Sequence, residues 1–478
     1  MGETGSSAGI DHGPGPRDFF VAVVGTGFAG LGAAVRMNQA GIDDLVVFER
    51  ATELGGTWRD NHYPGLCCDV PSHVYSFSFE LNPFWKQGFA PGWEILDYLK
   101  ATAAKYGVTQ HIRFGHEVLH ATWNERLQRW EIETTGGRFS ARLLVSAAGA
   151  LSDPSFPDIP GLDRFAGTMF HSAQWDHDHD LAGERVAVIG TGASAIQFVP
   201  QIQPSVSKLH VFQRTPPWVI PRLDHKITRF EHWLLRWIPF APNIVRFVLY
   251  WLLEVRVIGF KRPRMMKLAE VVARRHLRRQ VKDDPELIRK LTPDYTMGCK
   301  RILISDDYYP ALVQPNIEVV TEGIKEVRPS SVVTEDGIER GIDTIIFGTG
   351  FHVTDPPIAE RIRGRDGRSL AEHWKGSVEA YRGTTVAGFP NLFLMTGPNT
   401  GLGHNSMVFM IESQLNYLVD CLRVMGERGA DVLEIRPEVQ DRYNQRLQAS
   451  MRGTVWTAGH CHSWYLDDTG RNTTLWPT

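Results

Sequence analysis

The chain has 478 residues, enough for two to four domains that each bury a substantial core. Its 51 basic and 54 acidic residues leave a formal net charge of -3, which excludes a general charge-driven attraction to nucleic acid. The five cysteines are Cys67, Cys68, Cys299, Cys421 and Cys461. Because their number is odd and two are adjacent, they do not suggest a disulfide framework, and we expect a reducing cytoplasm.

The N-terminal segment, up to about Arg17, is rich in Gly, Ser and Pro. It has no apolar core of the kind that a signal peptide carries. We therefore predict a disordered tail over residues 1–17.

The first organised element is an apolar run from Phe19 to Val24, which predicts a strand buried on both faces. It leads into GTGFAG, then a helical pattern up to Ala40, and then a second strand that ends at Glu49. A strand, a GxGxxG turn, a helix, a strand and an acid in this order indicate a dinucleotide-binding fold.

Each glycine of this turn has its own role. Gly25 permits the tight turn, Gly27 lets the backbone approach a pyrophosphate, and Gly30 lets the helix pack closely on the strand. The free N–H groups at the helix N-terminus favour phosphates. Glu49 can accept hydrogen bonds from ribose hydroxyls.

The same pattern returns in the middle of the chain. A strand over Arg185–Ile189 leads into GTGASA at Gly190–Ala195, where alanine replaces the third glycine, and the next strand ends at Phe212. The register of the two repeats places Gln213 at the position of Glu49. The second site therefore lacks the carboxylate that would repel a 2′-phosphate.

Arg214 follows directly and offers a guanidinium that can bind such a phosphate. At about 4 Å and an effective dielectric near 20, this contact contributes roughly 4 kcal/mol before desolvation. The first fold thus predicts an FAD site and the second an NADP site, which implies electron transfer between two cofactors. The residues expected to contact NADP around the second turn are Gly190, Thr191, Gly192, Ala193, Ser194, Ala195, Gln197, Arg214 and Thr215.

Residues 223–293 are expected to form a mainly helical insertion. Its lipophilic part, 230–260, is broken by charged residues, so no stretch of about 18 apolar residues remains and a spanning helix is not expected. Two alternatives stay open: a helical cap, and peripheral contact with a membrane surface.

Two later strand-turn segments, 343–350 and 391–399, end in small residues, as expected at the carboxyl ends of parallel strands beside a ligand. We predict that the first returns the chain from the second fold and the other returns it to the first fold. The expected architecture is α/β, with two doubly wound Rossmann-like dinucleotide-binding domains and a helical insertion. The expected bounds are 18–155 and 386–478 for the FAD-binding domain, 156–222 and 294–385 for the NADP-binding domain, and 223–293 for the insertion or cap.

A family resemblance becomes specific between the two folds. Residues 165–176 read FAGTMFHSAQWD and meet every fixed position of FxGxxxHxxxW followed by Pro or Asp. This is the fingerprint of type I Baeyer–Villiger monooxygenases, and the chain resembles that family from about Phe19 to Pro477. The segments that are also similar are 55–58 (GGTW), 63–65 (YPG) and 464–466 (WYL).

The resemblance implies an NADPH- and O2-dependent flavoprotein that converts ketones to esters or lactones through a C4a-peroxyflavin. A ketone and O2 are then the expected small-molecule partners. One alternative is an N- or S-oxygenating flavin-containing monooxygenase, and another is a nucleotide-binding protein without oxygenation. No metal site is expected, because 177–180 and 460–462 fit solvated loops better than closed ligand sets.

The resemblance also implies individual roles. It places His171 and Trp175 at a hinge, Arg301 over the flavin with Asp69 holding it, and Lys300 beside Arg214 on the 2′-phosphate. A permanently charged guanidinium suits the centre because it stabilises developing negative charge without losing a proton. The residues that the resemblance places around FAD are Glu49, Thr57, Trp58, Asp60, Asp69, Tyr75, Val118 and Met407.

Overall fold

A computed structural model of the chain describes residues 17–282, 284–461 and 463–477. The predicted tail lies outside these residues except for Arg17, which begins the first strand instead of ending a tail. The strands are β1 (Arg17–Val24), β2 (Leu45–Phe48), β3 (Ile112–Arg113), β4 (Val118–Asn124), β5 (Arg129–Thr134), β6 (Gly137–Ser146), β7 (Thr168–His171), β8 (Arg185–Ile189), β9 (Lys208–Phe212), β10 (Val219–Ile220), β11 (Leu303–Ile304), β12 (Ile317–Val320), β13 (Ile324–Arg328), β14 (Ser331–Thr334), β15 (Glu339–Gly341), β16 (Thr344–Phe347), β17 (Ile362–Arg363) and β18 (Leu392–Leu394).

The helices fall into a set that covers the sheets and a set that forms the insertion. They are α1 (Phe28–Gln39), α2 (Thr57–Asp60), α3 (Gly92–Lys105), α4 (Ala195–Ile202), α5 (Arg229–Trp237), α6 (Ala241–Glu254), α7 (Val257–Lys261), α8 (Pro263–Gln280), α9 (Pro285–Leu291), α10 (Tyr308–Leu312), α11 (Ile358–Arg361), α12 (Leu370–Trp374), α13 (Met407–Arg428), α14 (Pro437–Met451) and α15 (Val455–Ala458). Short 3-10 helices lie at Ser72–Val74, Val108–His111, Leu162–Arg164 and Ser172–Gln174.

The first sheet has eight strands in the order β17-β4-β5-β6-β1-β2-β3, with β18 also paired to β6. The strands β6, β1, β2 and β3 run parallel, whereas β4, β5 and β6 form an antiparallel meander. Val21–Val24 and all of β2 are buried, as the continuous apolar runs predict for parallel strands covered on both faces.

The second sheet has five parallel strands in the order β12-β9-β8-β16-β7. Its edge strand β7 carries the histidine of the fingerprint. Two smaller sheets, β10-β11 and β13-β14-β15, lie outside it. The predicted return strands are present: β16 pairs with β8 in this sheet, and β18 pairs with β6 in the first sheet.

The chain rejoins the first sheet earlier than the boundary expected at residue 386. Strand β17 pairs with β4, and Ile362 is fully buried in the same core as Ala121 and Leu370. A strand of two residues leaves no periodic signal in the sequence. The sequence therefore could not predict that the chain returns to the first sheet at β17.

The insertion is helical, with α5 to α9 between residues 229 and 291. Among the described helices, none is both long and apolar enough to cross a membrane.

Candidate functional site

One large cavity, of about 1290 Å³, lies at the carboxyl ends of the parallel strands of both large sheets. The last residues of β1, β2, β8 and β9 all line this cavity. They are Val24, Phe48, Ile189 and Phe212. Ligands bind at this edge in doubly wound folds because the glycine turns and helix N-termini open there. The two predicted nucleotide sites therefore share one space.

The first glycine turn is shaped for close approach of a ligand. Gly25 has φ +98°, and a Cβ there would lie 2.6 Å from the carbonyl oxygen of Ala147. A Cβ on Gly56 would lie 2.9 Å from Gly27 Cα, so the two glycines leave an open cradle. Helix α1 follows without a side-chain cap, which leaves its first N–H groups for phosphate oxygens. This cradle fits the pyrophosphate of a dinucleotide.

Gly30 does not line the cavity. A Cβ at this position would collide with the carbonyl oxygen of Gly25, which is the close helix–strand packing that the sequence predicts for the third glycine.

Glu49 lines the cavity but already accepts three hydrogen bonds and forms an ion pair. Its Oε2 accepts from the backbone N–H (3.1 Å) and the hydroxyl of Thr26, and its Oε1 accepts from the N–H of Ala51 (2.9 Å) and pairs with Arg59 Nη1 (2.9 Å). A carboxylate offers about four lone-pair sites. A ribose hydroxyl would have to share one of them, so Glu49 also holds the turn in place.

The other positions predicted around FAD also line the cavity: Thr57, Trp58, Asp60, Tyr75, Val118 and Met407. Trp58 Nε1 donates to Tyr75 Oη at 3.3 Å, and Asp60 Oδ1 pairs with Arg59 Nη2 at 2.6 Å. Met407 is the first residue of α13. These contacts order the wall, and they leave the cofactor role of each residue a prediction.

The second glycine turn repeats the first with one difference in its packing. Gly190 has φ +106°, and a Cβ there would collide with the carbonyl oxygen of Gly348 on the neighbouring strand end. Ala195 is fully buried behind the turn, does not line the cavity, and fills the place of Gly30. The other residues predicted to contact NADP line the cavity: Thr191, Gly192, Ala193, Ser194, Gln197, Arg214, Thr215 and Lys300.

The charges of the second turn suit a phosphate. Gln213 is buried and donates from Nε2 to the carbonyl oxygen of Lys290 at 2.9 Å, so no carboxylate stands there. Neither Arg214 nor Lys300 forms an ion pair with a carboxylate in the described part of the chain. Burial and the nearby Arg214 cation lower the pKa of Lys300. An anion between the two side chains would relieve their mutual repulsion.

Arg301 and Asp69 meet in the cavity as a bidentate ion pair. Arg301 Nε donates to Asp69 Oδ2 at 2.6 Å, and Nη2 donates to Oδ1 at 2.7 Å. Asp69 raises the pKa of Arg301, so the guanidinium keeps its proton. Burial alone would raise the pKa of Asp69, but Arg301 lowers it below its usual value. The pair is therefore ionised on both sides and fixed in orientation.

Tyr465 lies beside this pair, and burial raises its pKa to about 12 although Arg301 opposes the shift. In the sequence, Tyr465 is noted only as part of a segment similar to the family. Because it is distant from Arg301 along the chain, no local pattern predicts that the two residues lie side by side.

Gln197 has a structural role that the sequence did not reveal. From α4 of the second fold, its Oε1 accepts from Tyr63 Oη (3.0 Å) and from the N–H of Cys67 (3.3 Å). Its Nε2 donates to the carbonyl oxygen of Cys67 at 3.0 Å. The amide thus ties the second fold to the loop that carries Asp69.

The cysteines do not form a disulfide framework, but two of them do pair. Cys299 and Cys461 form a disulfide across 162 residues, while Cys67, Cys68 and Cys421 are free. The fold brings these two distant segments together, which an odd cysteine count cannot show. The disulfide anchors the residue immediately before Lys300 to the C-terminal segment.

The fingerprint histidine lies outside the cavity. His171 is fully buried at the end of β7, its Nδ1 accepts from the N–H of Ala173 at 3.1 Å, and burial lowers its pKa to about 4. Trp175 is buried against Phe170 and Phe198. Both residues therefore shape the segment between the folds, and their role as a hinge stays a prediction.

Known proteins are similar to this chain in sequence and in architecture. The profile of the flavin-binding monooxygenase-like family matches residues 19–370. A Baeyer-Villiger monooxygenase of Streptomyces coelicolor is 56% identical over 461 residues, which cover 96% of this chain and 88% of the relative.

Solved structures are similar over nearly the whole chain. One is OTEMO in complex with FAD and NADP, with a TM-score of 0.85 and 28% identity over 96% of this chain and 94% of that one. Another is the cyclohexanone monooxygenase from Rhodococcus sp. Phi1 bound to NADP+, with a TM-score of 0.83 and 30% identity over 96% of this chain and 94% of that one.

Proposed function

The chain belongs to the flavin-binding monooxygenase-like family and is a Baeyer–Villiger monooxygenase that depends on FAD and NADPH, and we propose that Arg301 and Asp69 form its reacting centre. The observation that carries this proposal is their bidentate pair inside the cavity that both glycine turns border. The substrate is a ketone, and the product is the ester or lactone that contains one oxygen atom from O2.

When bound, FAD would supply the redox chemistry between NADPH and O2 that the side chains of the protein cannot perform. We propose that the cradle at Gly25, Gly27 and Gly56 holds its pyrophosphate. Helix α1 points its uncapped N-terminus into this cradle, so its N–H groups and partial positive charge stabilise the phosphates.

Arg301 stabilises the negative charge that develops when the ketone carbonyl is attacked. A guanidinium suits this task because it remains protonated through the reaction, whereas a buried lysine can lose its charge. Asp69 holds the planar group in one orientation through two hydrogen bonds, so little reorganisation is needed as the charge forms.

Arg214 and Lys300 hold the 2′-phosphate of NADPH in the second fold. Both line the cavity, and the neighbouring Gln213 is neutral. These features favour a phosphorylated nicotinamide dinucleotide over the unphosphorylated one.

The test is Arg301→Ala in the purified protein, followed with a panel of linear, cyclic, aromatic and steroidal ketones. We expect the variant to retain FAD and be reduced by NADPH, and to lose ester formation by roughly 10²–10³-fold, as when an oxyanion donor is removed. Product mass, read as a gain of one oxygen atom, is the measurement.

A matched control is Arg185→Ala. Arg185 makes the same bidentate contact, with Asp343, but lies outside the cavity, so ester formation should be unchanged. Normal ester formation by Arg301→Ala would overturn the assigned role. Oxidation of sulfides or amines without any ester from the panel would instead reassign the native enzyme to heteroatom oxygenation.

We also propose that the protein works in the cytoplasm, because this compartment supplies NADPH; the three free thiols agree with it, whereas the Cys299–Cys461 disulfide does not require it. Fractionation of cells followed by thiol counting tests this location. Recovery of the chain outside the cytoplasmic fraction would contradict it.

A further inference from the structure

The outward face of α6 is apolar along its whole length. Six side chains spaced three or four residues apart are between 48% and 64% exposed. They are Ile244, Phe247, Val248, Trp251, Leu252 and Val255. A surface helix normally turns such a stripe inward.

The inward face of α6 packs Leu249 and Leu253 against the core and also carries two charged side chains. Arg246 is buried, donates from Nη1 to the carbonyl oxygen of Ser76 at 2.7 Å, and pairs through Nη2 with Glu412 at 3.2 Å. Glu254 accepts a hydrogen bond of 3.0 Å from Asn405, a residue of the cavity wall. The helix is thus apolar on both faces, and these polar contacts hold it with one apolar face outward.

The neighbouring helices also carry exposed apolar side chains. On α5, Phe230, Trp233 and Trp237 share one face and are 53% to 67% exposed, and on α8 Leu268 and Val272 are 75% and 54% exposed. At most three residues separate each of the helices α5 to α8 from the next. We call the α6 stripe together with these five residues the apolar face.

The second half of the insertion is strongly basic. Residues 255–280 contain nine Lys or Arg and one acid, Glu270, in a chain whose net charge is -3. Glu270 is already engaged, since its Oε1 accepts from the N–H of Met297 at 3.1 Å. Eight of the nine basic residues are exposed, and none of these eight pairs with a carboxylate among the described residues. They are Arg256, Lys261, Arg262, Arg264, Lys267, Arg275, Arg278 and Arg279.

We propose that the apolar face docks on the surface of a membrane that contains anionic lipids. Apolar and tryptophan side chains would enter the boundary between headgroups and acyl chains, while the basic residues contact lipid phosphates. The helices would lie in the plane of the interface, in keeping with the lack of a spanning helix among the described ones.

The charges favour a lipid surface over a second copy of the chain. In a symmetric dimer, the same patch faces itself, so the two basic segments would be brought together and repel each other. Anionic headgroups supply the opposite charge over an extended surface.

The test is flotation of the purified FAD-loaded protein with vesicles of phosphatidylcholine, with or without phosphatidylglycerol. We expect binding to vesicles with phosphatidylglycerol, at least about tenfold weaker binding to phosphatidylcholine alone, and weaker binding at high salt. Absence of binding to either vesicle would overturn the proposal.

The variant that probes the surface combines Phe247→Glu and Trp251→Glu, and its matched control is Ile338→Glu, an exposed apolar residue between β14 and β15. We expect the double variant to keep FAD and to lose vesicle binding by about tenfold or more, and the control to bind normally. Equal binding by the double variant would contradict the proposal. The proposal would also be contradicted if light scattering showed that the native protein and the control are dimers whereas the double variant is a monomer.

Vesicle binding is measured without turnover. If the native enzyme formed no ester, the proposed reaction would therefore be refuted, and this inference would be unaffected.

Discussion

The two dinucleotide folds share a turn and differ in the side chain that follows their second strand. In the first fold Glu49 accepts three hydrogen bonds, pairs with Arg59 and fixes the turn. In the second fold Gln213 donates to the carbonyl oxygen of Lys290, and Arg214 lines the cavity with no carboxylate partner among the described residues. The comparison teaches that backbone shape provides a place for any pyrophosphate, while one side-chain position sets the charge that the rest of the ligand can carry.

The largest effect is expected when the first glycine of either turn is replaced by a larger residue. Gly25→Val places a Cβ 2.6 Å from the Ala147 carbonyl oxygen in a backbone conformation that valine rarely adopts, so we expect a colourless protein without FAD. Gly190→Val should give a yellow protein that NADPH no longer reduces. Absorbance of the flavin and stopped-flow reduction distinguish the two results.

Gly41→Val is the control for backbone strain alone, because Gly41 also has a positive φ of +78° but no atom within 4 Å of its Cβ position. It should retain FAD and activity with some loss of stability. If Gly25→Val kept FAD, the assignment of the first turn would fail.

A smaller effect is expected from Arg214→Ala. Loss of one charged contact to the 2′-phosphate should lower kcat/KM for NADPH by about 10- to 100-fold, in line with the roughly 1.5–3 kcal/mol of a charge-assisted hydrogen bond. NADH lacks this phosphate and is the internal control. An equal loss with both nucleotides would place Arg214 outside the phosphate site.

The smallest effect is a pH dependence. Because burial and Arg214 lower the pKa of Lys300, its charge is lost at a lower pH than that of an ordinary lysine, and it is present below that point. We therefore expect kcat/KM for NADPH to fall as pH rises on the alkaline side, while kcat/KM for NADH does not. Lys300→Arg should remove the difference, since arginine stays charged. A parallel fall with both nucleotides in the native enzyme would contradict this assignment.

The sequence predicts the parts of the site that repeat a backbone pattern. The turns at 25–30 and 190–195 were identified because a glycine or alanine is required wherever the chain approaches itself or a ligand. The sequence also predicts where β16 and β18 end, because each is a short apolar run followed by small residues. Arg301 and Asp69 followed from family resemblance and are separated by 232 residues, so no local pattern could have joined them.

What the sequence did not predict depends on packing between distant segments. The disulfide of Cys299 and Cys461 and the crossing at Ile362 both arise where the fold brings short, non-periodic pieces together. The hydrogen-bond and ion-pair partners of Glu49 were hidden for the same reason, because Arg59 lies on a separate short helix.

The amide of Gln197 couples the proposed reacting centre to the packing of the second fold. Its Oε1 accepts hydrogen bonds from Tyr63 and Cys67, and its Nε2 donates to the carbonyl oxygen of Cys67, so a shift of α4 would break all three contacts together. Asp69 lies two residues beyond Cys67, on a loop that is also held by the hydrogen bond from the N–H of Cys68 to the carbonyl oxygen of Ala90. A displacement of the second fold is therefore expected to reach the partner of Arg301 through one side chain.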